Sequence, residues 1–232
     1  MMITKTGIDL PKRTKMSYEE YLEYANETRI MEWVDGEVIE YMPAGYLHQN
    51  IVRFLLALLN SFVEMMQLGI ILPAPFETKL WADGPAREPD IIFVSQKQLN
   101  KLTDRRFEGA PDLAVEIVSP GSVSEDRVRK FNHYEQAGVP EYWIIDPRPR
   151  QQQVDCYVID EDGIYHPVPI NEDGVYRSAV LPGFWFKVDW LWQEELPQVQ
   201  LALAEILLSM ESLPPQVREV SQAWYDLLKP GN

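Results

Sequence analysis

Hydrophobic residues recur along this chain at two spacings, and the changes from one to the other mark out its elements. "SYEEYLEYANE" opens on Ser17 with Glu20 three residues later, a capping box that predicts a short helix from about Tyr18 to Asn26. "MEWVDGEVIEYMP" alternates around Asp35-Gly36, the dipeptide of a tight hairpin turn. From Tyr46 to about Gln67, residues such as Ile51, Phe54, Leu55, Leu58, Phe62 and Met66 fall at helical spacing. They predict a long amphipathic helix that stops at Gly69 and lays its apolar face on a sheet.

"FETKLW", "PDIIFV" and "PDLAVEIVSP" are strand candidates, and the last is apolar enough to lie centrally in a sheet covered on both faces. "SEDRVRKFNHYEQAG" then starts at Ser124, carries charged faces and stops at Gly138, so it reads as a helix feeding the strand "EYWIID". Strand, helix, strand in about thirty residues is a crossover unit of a parallel or mixed sheet. Residues 75–81, 89–94, 112–118 and 141–145 are therefore expected in one central mixed sheet, flanked by helices at 46–67 and 124–137. After Asp146-Pro147 the pattern shortens to "QVDCYVID", "IYHPVPI", "VYRSAVL" and "WFKV", separated by Asp/Gly turns, a β meander that continues the same domain. "VQLALAEILLSM" and "VREVSQAWYDLL" make the tail helical, with a break at Pro214-Pro215. The fold class expected is α/β (α+β), with one domain over residues 1–189 and a helical extension over 190–232.

Composition narrows the functions open to such a fold. The 232 residues, 46% of them hydrophobic, suffice to bury a full core. A single cysteine, Cys156, excludes a disulfide framework and a cysteine-built zinc site, and its place in an alternating strand makes it a small buried apolar residue. "MMITKTGIDLPKRTKMS" lacks the apolar stretch of a signal peptide, and no window has the apolar length of a membrane span, so a cytoplasmic protein without membrane contact is expected. The net charge of −15 opposes binding along a phosphate backbone, so any nucleic-acid contact must be local. Trp185, Trp190 and Trp192 lack basic interleaving and read as packing rather than as a base-stacking platform. No glycine-rich phosphate loop or Ser-His-Asp signature is present.

The candidate chemistry lies in two carboxylates. Asp90 opens one strand and Glu116 sits inside the next, so both can face one cavity and hold a hard cation such as Mg²⁺, which takes oxygen ligands. Read on their own, the same two acids are equally a loop cap and the partner of an arginine. Arg127, Lys130 and Tyr134 share a face of the following helix, which brings Lys130 toward Glu116 as a group to orient water or stabilise phosphate charge, or leaves it an exposed helix cation.

"REPDIIFV" followed by "PDLAVEIVSPGSVSEDRVRKFNHYEQAGVPEYWIIDP" resembles the Uma-type endonuclease family, a branch of the PD-(D/E)XK restriction-endonuclease-like superfamily. "MEWVDGEVIEYMPAGYLHQNIVRFLLALL" resembles its N-terminal part, so the likeness spans about residues 15 to 190. The resemblance implies a restriction-endonuclease-like core, Asp90 and Glu116 as ligands of Mg²⁺ or Mn²⁺, Lys130 as the assisting lysine, and hydrolysis of DNA phosphodiester bonds. It also picks out His48, and Glu37 after the Asp-Gly turn joins the candidate set with less weight. One departure is plain: the superfamily places its lysine two residues after the acid, where this chain has Val118, so the role passes to Lys130 on the next helix. A cationic patch of Arg53, Arg87, Arg127 and Arg129 is the expected DNA contact, and a homodimer is an expectation that no motif tests. The other class of function is a non-catalytic interaction or assembly protein that keeps the nuclease fold, favoured by the acidic balance.

Overall fold

The computed structural model describes residues 11–25 and 29–229. In chain order its elements begin with β1 (Lys12–Lys15), α1 (Tyr18–Tyr24), β2 (Met31–Val34), β3 (Glu37–Glu40) and α2 (Tyr46–Met65). They continue with β4 (Gly69–Pro73), β5 (Glu77–Lys79), β6 (Ala86–Arg87), β7 (Ile91–Ser95), β8 (Arg106–Glu108) and β9 (Leu113–Ile117). A π-helical turn, Glu125–Lys130, runs into α3 (Phe131–Ala137) and β10 (Glu141–Asp146). The chain ends with β11 (Gln153–Ile159), β12 (Tyr165–Pro167), β13 (Val175–Arg177), β14 (Trp185–Lys187), α4 (Val199–Leu208) and α5 (Pro215–Leu228).

Two six-stranded mixed sheets organise these elements, in the orders β1-β3-β2-β6-β5-β8 and β12-β11-β10-β9-β7-β4, with β13-β14 as a separate pair. In the second sheet β9 and β10 are parallel, and the chain between them passes through the π turn and α3, as the strand-helix-strand pattern predicts. Gly138 closes α3 in the left-handed conformation at φ 77°, which a glycine adopts without a Cβ clash. Asp35 and Gly36 both take positive φ and turn β2 into β3.

The faces of the second sheet separate two kinds of surroundings. Phe93, Val115, Trp143 and Ile145 point into the main core, where they meet Phe54, Leu58 and Phe62 of α2. Ala114, Val118, Tyr142 and Ile144 form a different cluster with Tyr134 of α3. Glu116, between Val115 and Ile117, therefore shares the α3 side of the sheet with Ala114.

Three details differ from the pattern-based expectation. Residues 77–79 do not join the central sheet; β5 pairs with β6 and β8 in the first sheet, and β4 occupies the edge beside β7 instead. α2 ends at Met65, with Gln67 at φ 55° turning the chain into β4, so Gly69 opens a strand rather than closing a helix. The first helix ends at Tyr24, and Asn26 lies outside the described residues. Trp185 and Trp190 pack against each other in the main core, with ring centroids 5.5 Å apart. Among the described residues no helix is long and apolar enough to cross a membrane.

Candidate active site

The register of the second sheet explains how its two acids meet. β7 and β9 pair antiparallel with Ile91 opposite Val115 and Ile92 opposite Ala114. Continuing by one residue places Asp90 opposite Glu116, where side chains on the same face are near neighbours. Asp90 is fixed there through Oδ2, which accepts the Ile117 N–H at 2.7 Å and faces His48 Nε2 at 3.2 Å. Glu116 is fixed through Oε1, which accepts the Tyr134 hydroxyl at 2.8 Å and meets Lys130 Nζ at 2.9 Å. Each acid thus commits one oxygen to the protein, and the other has no hydrogen bond or ion pair among the described residues.

Lys130 reaches back from the π turn, as its helical position predicts, and its ammonium is held by three carboxylates. Besides Glu116 it meets Glu32 Oε1 at 3.1 Å and Asp126 Oδ1 at 3.5 Å. Glu32, fully buried on β2, also receives the Tyr41 hydroxyl at 2.7 Å and Arg87 Nη1 at 2.7 Å. Neither oxygen of buried Asp126 has a hydrogen-bond partner of good geometry. Asp90, Glu116, Asp126, Lys130 and His48 line a single cavity of about 510 Å³, whose other wall is apolar and includes Ile30, Met42, Pro43 and Ala44.

The charges of this cavity are unbalanced toward the acids. Burial pushes Asp126 up to about 6 against the pull of Lys130 and the nearby Ser122 hydroxyl. Burial likewise raises Glu116, opposed by Lys130 and reinforced by Asp126 and Asp90. Glu88 rises to about 8, through burial and the neighbouring charges of Glu32 and Glu77, although the Met31 N–H tempers it. Glu32 behaves oppositely: burial disfavours its charge, yet Lys130 and Arg87 outweigh burial and hold it at about 2. Lys130 is desolvated, but Glu116, Glu32 and Asp126 raise it well above the usual lysine range, so it is an ammonium. His48 is buried, and its contact with Asp90 more than offsets that burial and raises it.

The structure brings together Asp90, Glu116, Lys130 and His48. Glu37 lies apart, on the surface, 3.4 Å from Arg13 and not on the cavity wall. Three of the four arginines expected in a cationic patch are engaged by carboxylates of the protein itself. Arg87 is fully buried against Glu32, Arg127 pairs with Asp155 at 2.7 Å, and Arg129 pairs with Glu125 at 2.5 Å. Arg53 bonds only Asn50 Oδ1, at 3.0 Å through Nη2, and has no carboxylate partner among the described residues. Glu32 and Asp126 were missed from sequence. Glu32 carries the signal that singled out Glu116, an acid inside an apolar strand; Asp126 looks like any acid in a first helical turn.

A mixed α+β architecture thus brings paired carboxylates and a lysine to one end of a sheet. Residues 18–189 match the family Uma2, described as "Putative restriction endonuclease", and the chain belongs to that family. The fold is similar to the crystal structure of "a putative nuclease belonging to DUF820" from Anabaena variabilis. That chain is 18% identical, with a TM-score of 0.59, and the alignment covers 75% of this chain and 96% of the other. No curated protein matches the chain.

Proposed function

We propose that the protein is an endonuclease that hydrolyses DNA phosphodiester bonds with a divalent cation, Mg²⁺ or Mn²⁺, held by Asp90 and Glu116. The observation that supports it most is the meeting of Asp90, Glu116 and Lys130, from three different elements, on the wall of one cavity.

The donor set fits a hard cation. Asp90 and Glu116 each keep one carboxylate oxygen out of the protein's own bonds, and burial pushes Glu116 and its neighbour Asp126 toward protonation against the pull of Lys130. Among the described residues no three His, Cys, Asp or Glu side chains converge as a ligand group, so two carboxylates with water completing the shell are the fit, as Mg²⁺ prefers. A bound cation supplies charge neutralisation at the phosphate and acidifies a water. Lys130, kept protonated and held by Glu116 on the cavity wall, would offer a fixed positive charge to oxygen made negative by attack on phosphorus. His48 sits against Asp90 with a raised pKa, suited to hold a proton and pass it to a leaving oxygen. Glu37, away from the cavity, is given no role.

The test is cleavage of single-stranded, duplex and branched DNA by purified protein with Mg²⁺ or Mn²⁺. Asp90→Asn and Glu116→Gln are expected to abolish cleavage and weaken metal binding without unfolding the chain. Lys130→Ala is expected to slow cleavage while most metal affinity remains. An absence of metal-dependent cleavage, with both carboxylate variants binding metal as tightly as wild type, would transfer support to the assembly-protein reading, which the net charge of −15 and the ion-paired arginines favour.

A further inference from the structure

Asp126 is the acid of the cavity whose carboxylate the protein's own hydrogen bonds leave unused. It lies on the π turn, is only 1% exposed, and lines the cavity that Asp90 and Glu116 share. Its backbone is fixed on both sides: the N–H donates to the Ser122 carbonyl, and its own carbonyl accepts the Tyr142 hydroxyl, each at 2.9 Å. Its side chain is not fixed in this way. Neither carboxylate oxygen accepts a hydrogen bond of good geometry, and its one ion pair among the described residues is with Lys130, at 3.5 Å. Folded proteins rarely leave a buried polar group without a partner, and catalytic use is one reason they do.

The other polar groups of the wall are already committed. Lys130 is surrounded by Glu116, Glu32 and Asp126, and an ammonium has no lone pair with which to accept a proton. Asp90 and Glu116 are the proposed cation ligands, and His48 is turned onto Asp90. Glu88 accepts the Met31 N–H at 3.0 Å and makes no ion pair with Lys130 among the described residues. Asp126 and Glu116, by contrast, both meet the Lys130 ammonium, at 3.5 and 2.9 Å, and so are neighbours across it. We infer that Asp126 is the base of the hydrolysis: its carboxylate takes the proton of the water that attacks phosphorus, and Lys130 beside it supplies charge alone. The inference rests on the nuclease reading of the cavity and adds a residue to it. The water oxygen bonds to phosphorus as one of its protons passes to Asp126; the bond from phosphorus to the leaving oxygen breaks, and that oxygen takes the proton that His48 holds. One proton is gained and one lost, so exchange with solvent returns both side chains to their starting forms. Burial pushes the Asp126 carboxyl up to about 6, so it accepts a proton more readily than an ordinary aspartate and is still ionised at neutral pH. The titratable groups that face it are Lys130 on its own turn, Glu116 of β9, Glu32 of β2, Asp90 ahead of β7, His48 of α2 and Tyr142 of β10.

The experiment compares the whole wild-type chain with Asp126→Asn, Asp126→Glu and Glu88→Gln by DNA cleavage with Mg²⁺, Mg²⁺ affinity in calorimetry, and urea unfolding. Asp126→Asn should slow cleavage by about 10²- to 10⁴-fold, the usual contribution of a positioned base. It should weaken Mg²⁺ binding by less than about tenfold, below the loss expected when a group that orients a metal ligand is removed. Its unfolding midpoint should equal or exceed that of wild type, because the charge removed has no hydrogen bond to lose. Asp126→Glu, which keeps a carboxylate, should cleave faster than Asp126→Asn; equal loss in the two would overturn the inference. A lower midpoint for Asp126→Asn would overturn it by giving the residue a structural role, and a loss of Mg²⁺ affinity as large as the loss of cleavage would make Asp126 a holder of the cation instead. Cleavage lost in Glu88→Gln and kept in Asp126→Asn would move the role to Glu88. Cleavage by Asp126→Asn at the wild-type rate would overturn the inference alone, whereas a wild type that cleaves no DNA would overturn it together with the nuclease reading.

Discussion

Replacing Lys130 with Met removes the one ammonium from among three buried carboxylates, those of Glu116 at 2.9 Å, Glu32 at 3.1 Å and Asp126 at 3.5 Å. The methionine keeps the length of the side chain, so little volume is lost and the effect is electrostatic. Breaking a buried ion pair by removing one partner costs about 3–5 kcal/mol, a large share of the roughly 5–15 kcal/mol that stabilises a typical protein. For a chain of this size that is a fall of about 6–20 °C in Tm. The size of the deficit should depend on pH. Even with Lys130 present, burial raises Asp126 from 3.8 to about 6 and raises Glu116 as well. A carboxyl whose folded pKa lies above its unfolded one stabilises the fold below the unfolded value, and that contribution is lost as pH rises through the folded value. The deficit should accordingly be smaller at pH 5 than at pH 8, and urea unfolding followed by circular dichroism in EDTA at both pH values measures it. A deficit below about 1 kcal/mol at pH 8, or one that grows on acidification, would refute the picture of charged acids gathered on Lys130. A Glu116→Gln change in the Lys130→Met background should recover part of the loss, and strict additivity of the two would count against their coupling.

Two other outcomes follow from the same geometry. Mg²⁺ titrated calorimetrically should bind more tightly at pH 8 than at pH 5 and release protons on binding, since ligand-side carboxyls raised by burial must ionise; affinity that falls with pH would contradict the assignment. Glu141→Ala should destabilise the protein by at least about 3 kcal/mol in urea unfolding, because this fully buried carboxylate accepts the Trp143 indole, the hydroxyls of Tyr176 and Ser178, and the N–H groups of Ala179 and Val180. A near-neutral effect would mean that those donors find other partners.

The elements with strong periodicity were legible from sequence: α2 from its apolar stripe, the hairpin from Asp35-Gly36, and the β9-α3-β10 crossover from a buried strand, a capped helix and Gly138. The sheet to which a short strand belongs was not. "FETKLW" reads as a strand, but only the pairing of β4 with β7 and of β5 with β8, contacts distant along the chain, decides which strand joins the central sheet. The π turn was read as ordinary helix because widening by one residue per turn leaves no mark in the hydrophobic pattern. For the site, Asp90 and Glu116 stood out as acids where a strand should be apolar, and Lys130 followed from helical spacing. Glu32 in "MEWV" and Glu141 in "EYWIID" have the same anomaly, and the structure shows both fully buried and fully bonded. Glu37 drew attention by its place after a turn; yet the turn's own geometry puts it on the surface beside Arg13. That three of four arginines were already engaged is a property of the folded surface and has no counterpart in sequence.

The segment matching the family stops at residue 189, whereas the hydrophobic interior does not. Ala202, Leu203, Ile206 and Leu207 of α4 are buried in the same core as Phe54 and Leu58 of α2, the helix whose first turn delivers His48 to Asp90. The residues of the cavity and part of the core that holds them in place are thus drawn from different stretches of chain. A substitution at Leu203 would touch no atom of the cavity and still loosen the support of α2, so the consequences of change in the tail should be felt where nothing in the tail is present.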